Sequence, residues 1–274
     1  MLNLLESLHS AFLSWWFDPL VASLGFMVPV YIYTFCELQS GTSSFKSFRE
    51  FLWTSKETGS FLMKSLLVYW LGILIWVRFV PSPGDLPSGI PDSLSSFIYL
   101  ATEVVTGIVQ YDIYFFLIHW AMHECKYLNT LLCHKEHHTS RKMLEARHVL
   151  RHSFLDGSLQ VLTNIAVQRY TPWGMMKSRL ARALHNVILT WMLTESHSSA
   201  PYPNVFRKHF VGVREHRWHH LCGDNRTRGR CHRYQQIFGY LDDMKRSLHV
   251  HNTHVMNYKT FRRMKKTETD VKIN

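Results

Sequence analysis

The stretch FIYLATEVVTGIVQYDIYFFLI, residues 97–118, runs straight into His119 and then His123. A helix of this length can cross a hydrocarbon layer about 30 Å thick. The stretch carries two acids, Glu103 and Asp112, and acids inside a span are usually functional. Residues four apart share a helix face, so His119 and His123 emerge side by side where the span ends. The rest of the chain is read outward from that pair.

Upstream, Phe61 to Val80 is the clearest apolar run, with Lys64 and Arg78 near its ends, where both can snorkel to the surface. Leu20 to Cys36 is a shorter candidate span, near the lower length limit and interrupted by Pro29. The connection Gln39–Ser60 holds Lys46, Arg49 and Lys56, whereas Pro81–Ser96 has no lysine or arginine. By the positive-inside rule the first is cytosolic and the second is outside. The N-terminus is then outside, and the 97–118 span ends in the cytosol at His119. Downstream, Leu155–Val167 and Ala183–Leu193 are short for spans, and the link Gln168–Arg182 is rich in arginine and lysine. They read as a shallow hairpin or as helices packed on the membrane domain, with a spanning pair as the other reading. Phe12, Trp15, Trp16 and Phe17 suit an interfacial aromatic belt better than a substrate entrance.

The expected fold is all-α: a polytopic membrane helical bundle with a cytosolic helical cap that holds a histidine-rich dinuclear metal site. The expected divisions are 1–96, an N-terminal transmembrane region; 97–258, a catalytic domain; and 259–274, a basic tail with Arg262, Arg263, Lys265 and Lys266 near lipid headgroups. Among 274 residues there are 18 histidines, where about a third as many would be ordinary usage. The net charge of +11 lies between and after apolar segments, which fits anionic lipid better than nucleic acid. Cys36, Cys125, Cys133, Cys222 and Cys231 form no CxxC pair and read as reduced thiols. Met1–Ser10 lacks the basic start of a cleavable signal. Asn225-Arg226-Thr227 is a formal glycosylation sequon, expected to be bare on the cytosolic side.

Three clusters carry the chemistry: His119-x-x-x-His123, His134-x-x-His137-His138 and His216-x-x-His219-His220. On α-helices each would aim two or three imidazoles at one point. Eight imidazoles exceed the four ligands of a closed zinc site, and suit two metal ions with positions left open. Imidazole alone does not name the metal. Iron is chosen because O2 chemistry gives a reason to mount such a site on a lipid-embedded scaffold, where the spans provide a dry slot. Asp112, seven residues before His119 and on nearly the same face, is expected to accept the imidazole N–H and fix its tautomer. His185 and His209 are weaker candidates, and the His249-x-His251-x-x-His254 set is left out. A separate zinc at Cys222 and Cys231-His232 lacks the close cysteine spacing such sites use.

Tyr111-Asp112, His119 and His123, His134-Lys135-x-His137-His138, His197-Ser198 and His216-x-x-His219-His220 together resemble the fatty acid hydroxylase superfamily over roughly Phe97 to Asp243. That group includes sterol C4-methyl oxidases, sterol C5-desaturases, cholesterol 25-hydroxylase and sphingolipid hydroxylases. The resemblance implies that the eight clustered histidines ligate a pair of irons, that His197 is a further ligand, and that His152 lies near the site. It also implies cytochrome b5 or a reductase as electron donor and the endoplasmic reticulum as the membrane. Trp120, Thr139 and Ser199 depart from the common pattern, as does Gln236–Asp242, and leave the subfamily open. A sterol or other isoprenoid is the first expected substrate, and a sphingolipid or fatty acyl chain the second. The other classes are a catalytically inactive metal- or lipid-binding membrane partner, and a zinc hydrolase on the same ligands.

Overall fold

The computed structural model describes residues 14, 16–54, 67, 70–72, 74–75, 89–139, 144–169, 177–222 and 233–249. Most of the Phe61–Val80 span lies outside the described residues, as do Phe12, Trp15, Pro81 to Ser88, the sequon at Asn225, Cys231, His232, His251, His254 and the basic tail. Every regular element among the described residues is helical.

The two longest helices are α1, Phe17–Gln39, and α3, Leu94–Glu124, with α2, Phe48–Thr54, after the first. Both α1 and α3 are long and apolar enough to cross a membrane, which supports membrane association. The helix of α1 continues through Pro29, so the expected interruption does not occur. Neighbouring helices can absorb the amide that proline lacks, and Pro29 is buried among them. Leu20, Leu24, Val28, Ile32 and Phe35 form an exposed stripe along α1, the apolar face that a lipid environment would cover. At the start of α3, Ser93 and Ser96 cap each other reciprocally, which satisfies backbone donors the first turn leaves open. The helix then runs unbroken to the histidines.

α4, Lys126–Leu132, follows, and Cys133 at φ 49° turns the chain back. The second histidine cluster is a 3-10 helix, His134–Thr139, and not the α-helix its spacing suggested. A second 3-10 turn, Ala146–Leu150, precedes α5, Phe154–Arg169; α6, Arg179–His197, α7, Val211–Cys222, and α8, Tyr240–His249, complete the described elements. The apolar runs at 155–167 and 183–193 are thus longer helices than their hydropathy implied. α6 is the hub and packs on α1, α3, α5, α7 and the Ala146–Leu150 turn.

The core joins Val30, Leu100, Val104, Tyr111, Leu189, Val213 and Ile237 across these helices. Buried carboxylates tie the loops to it. Glu37 accepts from the amides of Ala146 and Ser199 and from Ser198 Oγ. Glu195 accepts from Tyr33 and from the amides of Phe206 and Arg207. Among the described residues of the basic link, Lys177 and Arg169 are buried, and Arg182 pairs with Asp18 at 3.2 Å.

Candidate metal centre and apolar cavity

α3 delivers His119 and His123 in its last two turns, the 134–139 turn delivers His134, His137 and His138, α6 ends on His197, and α7 delivers His216, His219 and His220. All nine are buried except the half-buried His123. They form two groups. The ligand atoms of His119, His123, His134 and His138 lie within 4.8 Å of one another, and so do those of His137, His197, His216 and His220. His219 sits with the first group, its Nε2 3.1 Å from that of His119.

Each His-x-x-His-His cluster is therefore divided. The i, i+4 pair of the first cluster serves one group and its middle histidine the other; the second cluster does the reverse. The expectation that each cluster converges on one point is corrected. Adjacent residues in a helix or turn diverge by about 100° or more, so His137 and His138 cannot face one point. They face two neighbouring ones, with ring centroids 5.5 Å apart.

The hydrogen bonds settle which nitrogen faces inward. The Nδ1–H of His119 donates to the Tyr234 carbonyl at 2.8 Å, that of His137 to Arg151 at 3.0 Å, and that of His197 to Leu193 at 2.7 Å. His134 donates to Asp156 Oδ2 at 2.8 Å. A neutral imidazole protonated at Nδ1 has only a lone pair at Nε2. His137 and His197 thus face each other with Nε2 lone pairs 3.4 Å apart. In the first group His123 Nε2 lies 3.2 Å from both the His119 and the His134 nitrogens. Lone pairs gathered this closely repel unless a cation lies among them, so the donor set fits a metal ion in each group.

Electrostatics agree. Burial, then the neighbouring imidazoles, hold His137, His138, His216 and His220 well below the ordinary histidine value, and burial takes His197 to about 3. These rings are neutral near pH 7, the form that binds metal. Burial alone would raise the Asp156 carboxyl, but hydrogen bonds and charge attraction from His134 and His152 outweigh it and hold it below the usual range.

Asp112 does not touch His119, as its position seven residues upstream suggested. It accepts from the amides of Gln236, Ile237 and Phe238 and from Gln235 Nε2. These bonds fix the 235–238 loop, and the adjoining Tyr234 carbonyl orients His119. Asp112 thus acts one layer further out. The carboxylate that does meet an imidazole is Asp156, four residues after His152 and not among the candidates the sequence marked. His152 stacks on His137 with centroids 4.1 Å apart. His185 is buried away from both groups, with Nε2 3.2 Å from Asn164 Oδ1, and His209 is exposed.

A cavity opens beside the second group. His137, His152 and His197 close one end, and Phe26, Tyr111 and Leu193 form walls. Gly157, Gln160, Val161 and Asn164 line it as one stripe of α5. It offers mostly apolar surface leading from buried imidazoles into the helical bundle.

Fold and site together define a membrane-associated helical protein whose buried histidines are arranged to take metal beside an apolar cavity. The family model "Fatty acid hydroxylase" matches residues 104–247, more than half of the 274-residue chain, and the chain belongs to the fatty acid hydroxylase family. Membership supports an oxidoreductase activity of the lipid hydroxylase or desaturase type. No curated protein and no solved structure matches the chain.

Proposed function

We propose that this chain is a membrane-embedded di-iron oxygenase that hydroxylates or desaturates a lipid, a sterol or related isoprenoid first and a sphingolipid or fatty acyl chain second. One observation carries the reading: two adjoining sets of Nε2 lone pairs converge where an apolar cavity ends at His137 and His197. His119, His123, His134, His138 and His219 would hold one iron, and His137, His197, His216 and His220 the other. Bound iron supplies the O2 activation that an unactivated C–H bond requires. The chain does the rest. Phe26, Tyr111 and Leu193 exclude water from the lipid, α5 aligns it, and carbonyls and Asp156 hold the imidazoles in one tautomer. No side chain is needed as general acid or base. Electrons come from a cytochrome b5-like protein or a reductase docking on the histidine side, which faces the cytosol in an endoplasmic reticulum membrane.

The test uses the full chain purified in detergent. It should contain about two iron ions, and with reductant and oxygen-18 gas it should introduce label into one lipid of a microsomal extract, or an alkene if it desaturates. The doubly substituted His137→Ala, His138→Ala chain should lose iron and product together. A chain that oxidises no lipid with iron, O2 and reductant supplied is an inactive metal- or lipid-binding partner instead. Label arriving from water and not from O2 would make it a hydrolase.

A further inference from the structure

At the imidazole end of the cavity stands a glutamine that binds no metal. Gln160 lies on the same stripe of α5 as Gly157, Val161 and Asn164 and shares the cavity wall with them. Its amide nitrogen sits between two acceptors. Nε2 donates to Asp156 Oδ1 at 2.8 Å and meets His152 Nδ1 at 3.3 Å. The His152 ring is stacked on His137 with centroids 4.1 Å apart, which sets the glutamine amide close to the second group of imidazoles.

These two contacts fix which way the amide points. A carboxylate oxygen accepts and does not donate. His152 Nε2 lies 2.8 Å from the Val149 carbonyl, so Nε2 carries the ring proton and Nδ1 presents a lone pair. A glutamine turned the other way would set its carbonyl against both a carboxylate and a lone pair. Both N–H groups of the amide are therefore engaged inside the protein. The carbonyl Oε1 is left over, and it accepts from no group among the described residues. Ser153 and Asn164, which share the cavity wall, are committed elsewhere: Ser153 donates to the Leu132 carbonyl, and Asn164 is held between Asn186 and His185.

We infer that Gln160 is a specificity-determining residue: its Oε1 accepts a hydrogen bond from a hydroxyl or amide N–H of a lipid, and so holds the polar head of that lipid at the imidazole end of the cavity. Phe26, Val161 and Leu193 line the same cavity and meet the rest of the ligand with apolar surface only. Recognition itself needs neither metal nor turnover. One consequence rests on the lipid-oxidising reading: with the head held beside His137 and His152, oxidation falls close to the polar group and not at the far end of the molecule. Sterols and long-chain alcohols share the required O–H donor, and the arms of the test distinguish them.

Competition binding on the full chain in detergent micelles tests it. Tritiated cholesterol is displaced by cholesterol or cholesteryl fluoride, and tritiated octadecanol by octadecanol or octadecyl fluoride; fluorine is close to a hydroxyl in size and carries no proton. In one arm the alcohol should bind about tenfold tighter than its fluoride, the order of one hydrogen bond into a buried site, and that arm identifies the lipid skeleton. Gln160→Met keeps the length of the side chain, removes the carbonyl and should erase the preference while the fluoride still binds. Should Gln160→Met fail to fold, Gln160→Lys keeps a donor for Asp156, removes the acceptor and should erase the preference too. No preference in the wild type in either arm, or a preference unchanged in a folded variant, overturns the inference. Oxidation of the bound alcohol at the end remote from its hydroxyl overturns the placement of the head beside the imidazoles. A chain that shows the preference but oxidises no lipid overturns the functional reading and leaves the recognition standing.

Discussion

The two groups of imidazoles are built from the same residue type and braced differently. In the first, His134 leans on an ionised carboxylate, Asp156, and His119 on a carbonyl whose loop Asp112 clamps. In the second, His137 and His197 lean on backbone carbonyls, and these two also line the cavity. A carboxylate partner makes an imidazole more electron-rich than a carbonyl does. The protein thus places its more strongly donating set away from the cavity and its less strongly braced set beside it. Two metal ions held there would not be equivalent, and each perturbation below strikes the two groups to a different degree.

Acid should have the largest effect and strike both. His137, His138, His216, His220, His197 and also His148, which accepts from the Glu145 amide, are held below the ordinary value of 6.5. Below pH 6.5 the unfolded chain binds protons that the folded chain refuses, so stability is present above that pH and lost as pH falls. Each such ring costs about 1.4 kcal/mol per pH unit in that window. Asp156 is depressed in the opposite sense of charge; its contribution is present above the ordinary carboxylate range and is lost only in stronger acid. The denaturation midpoint of the metal-stripped chain should drop steeply between pH 7 and 5, with the metal-loaded chain holding out to lower pH. A midpoint flat across that window would mean the rings are not buried neutral.

Gly212→Ala should come next. A Cβ there would lie 2.6 Å from the Ile237 backbone and 2.8 Å from that of Gln236, and backbone cannot swing aside as a side-chain tip can. It would wedge α7, with His216, His219 and His220, away from the loop that orients His119. The expected cost is about 1–3 kcal/mol of stability with metal lost from both groups, read by elemental analysis and thermal unfolding. Full metal content in a stable Gly212→Ala chain would show that this contact does not position the ligands.

Much of this centre was legible before any coordinates. The spacing of His119 and His123 at the end of an apolar run marked both the helix and the site, because i, i+4 periodicity and hydrophobic length are local properties. What was hidden depends on contacts remote in sequence. The crosswise division of the two His-x-x-His-His clusters follows from a 3-10 turn and from α7 approaching α3 a hundred residues away. Asp112 looked like a partner for His119 by helical phase, but the 235–238 loop reaches it first with four donors. Asp156 gave no signal by spacing, since it acquires its role from His134, more than twenty positions distant. The continuation of α1 through Pro29 likewise rests on neighbours that hydropathy does not see.

Asp156→Asn should have the smallest effect and separate the groups most cleanly. The amide keeps the size of the carboxylate and can still accept from His134 Nδ1–H, but it carries no charge and brings an N–H donor that must find its own acceptor. Loss of such a partner typically lowers metal affinity 10–100-fold, about 1.4–2.7 kcal/mol. Because Asp156 bonds to His134 in the first group, while His137 and His197 keep their carbonyl partners, metal should be lost from the first group before the second. Titration with a chelator would then show two steps, the first moved to lower chelator concentration and the second close to its wild-type position. Equal weakening of both steps would mean the groups act as one cooperative unit, with the brace on His134 felt through the shared neighbours His138 and His219. In that case the difference between carboxylate and carbonyl bracing would have no separate consequence for the ion beside the cavity.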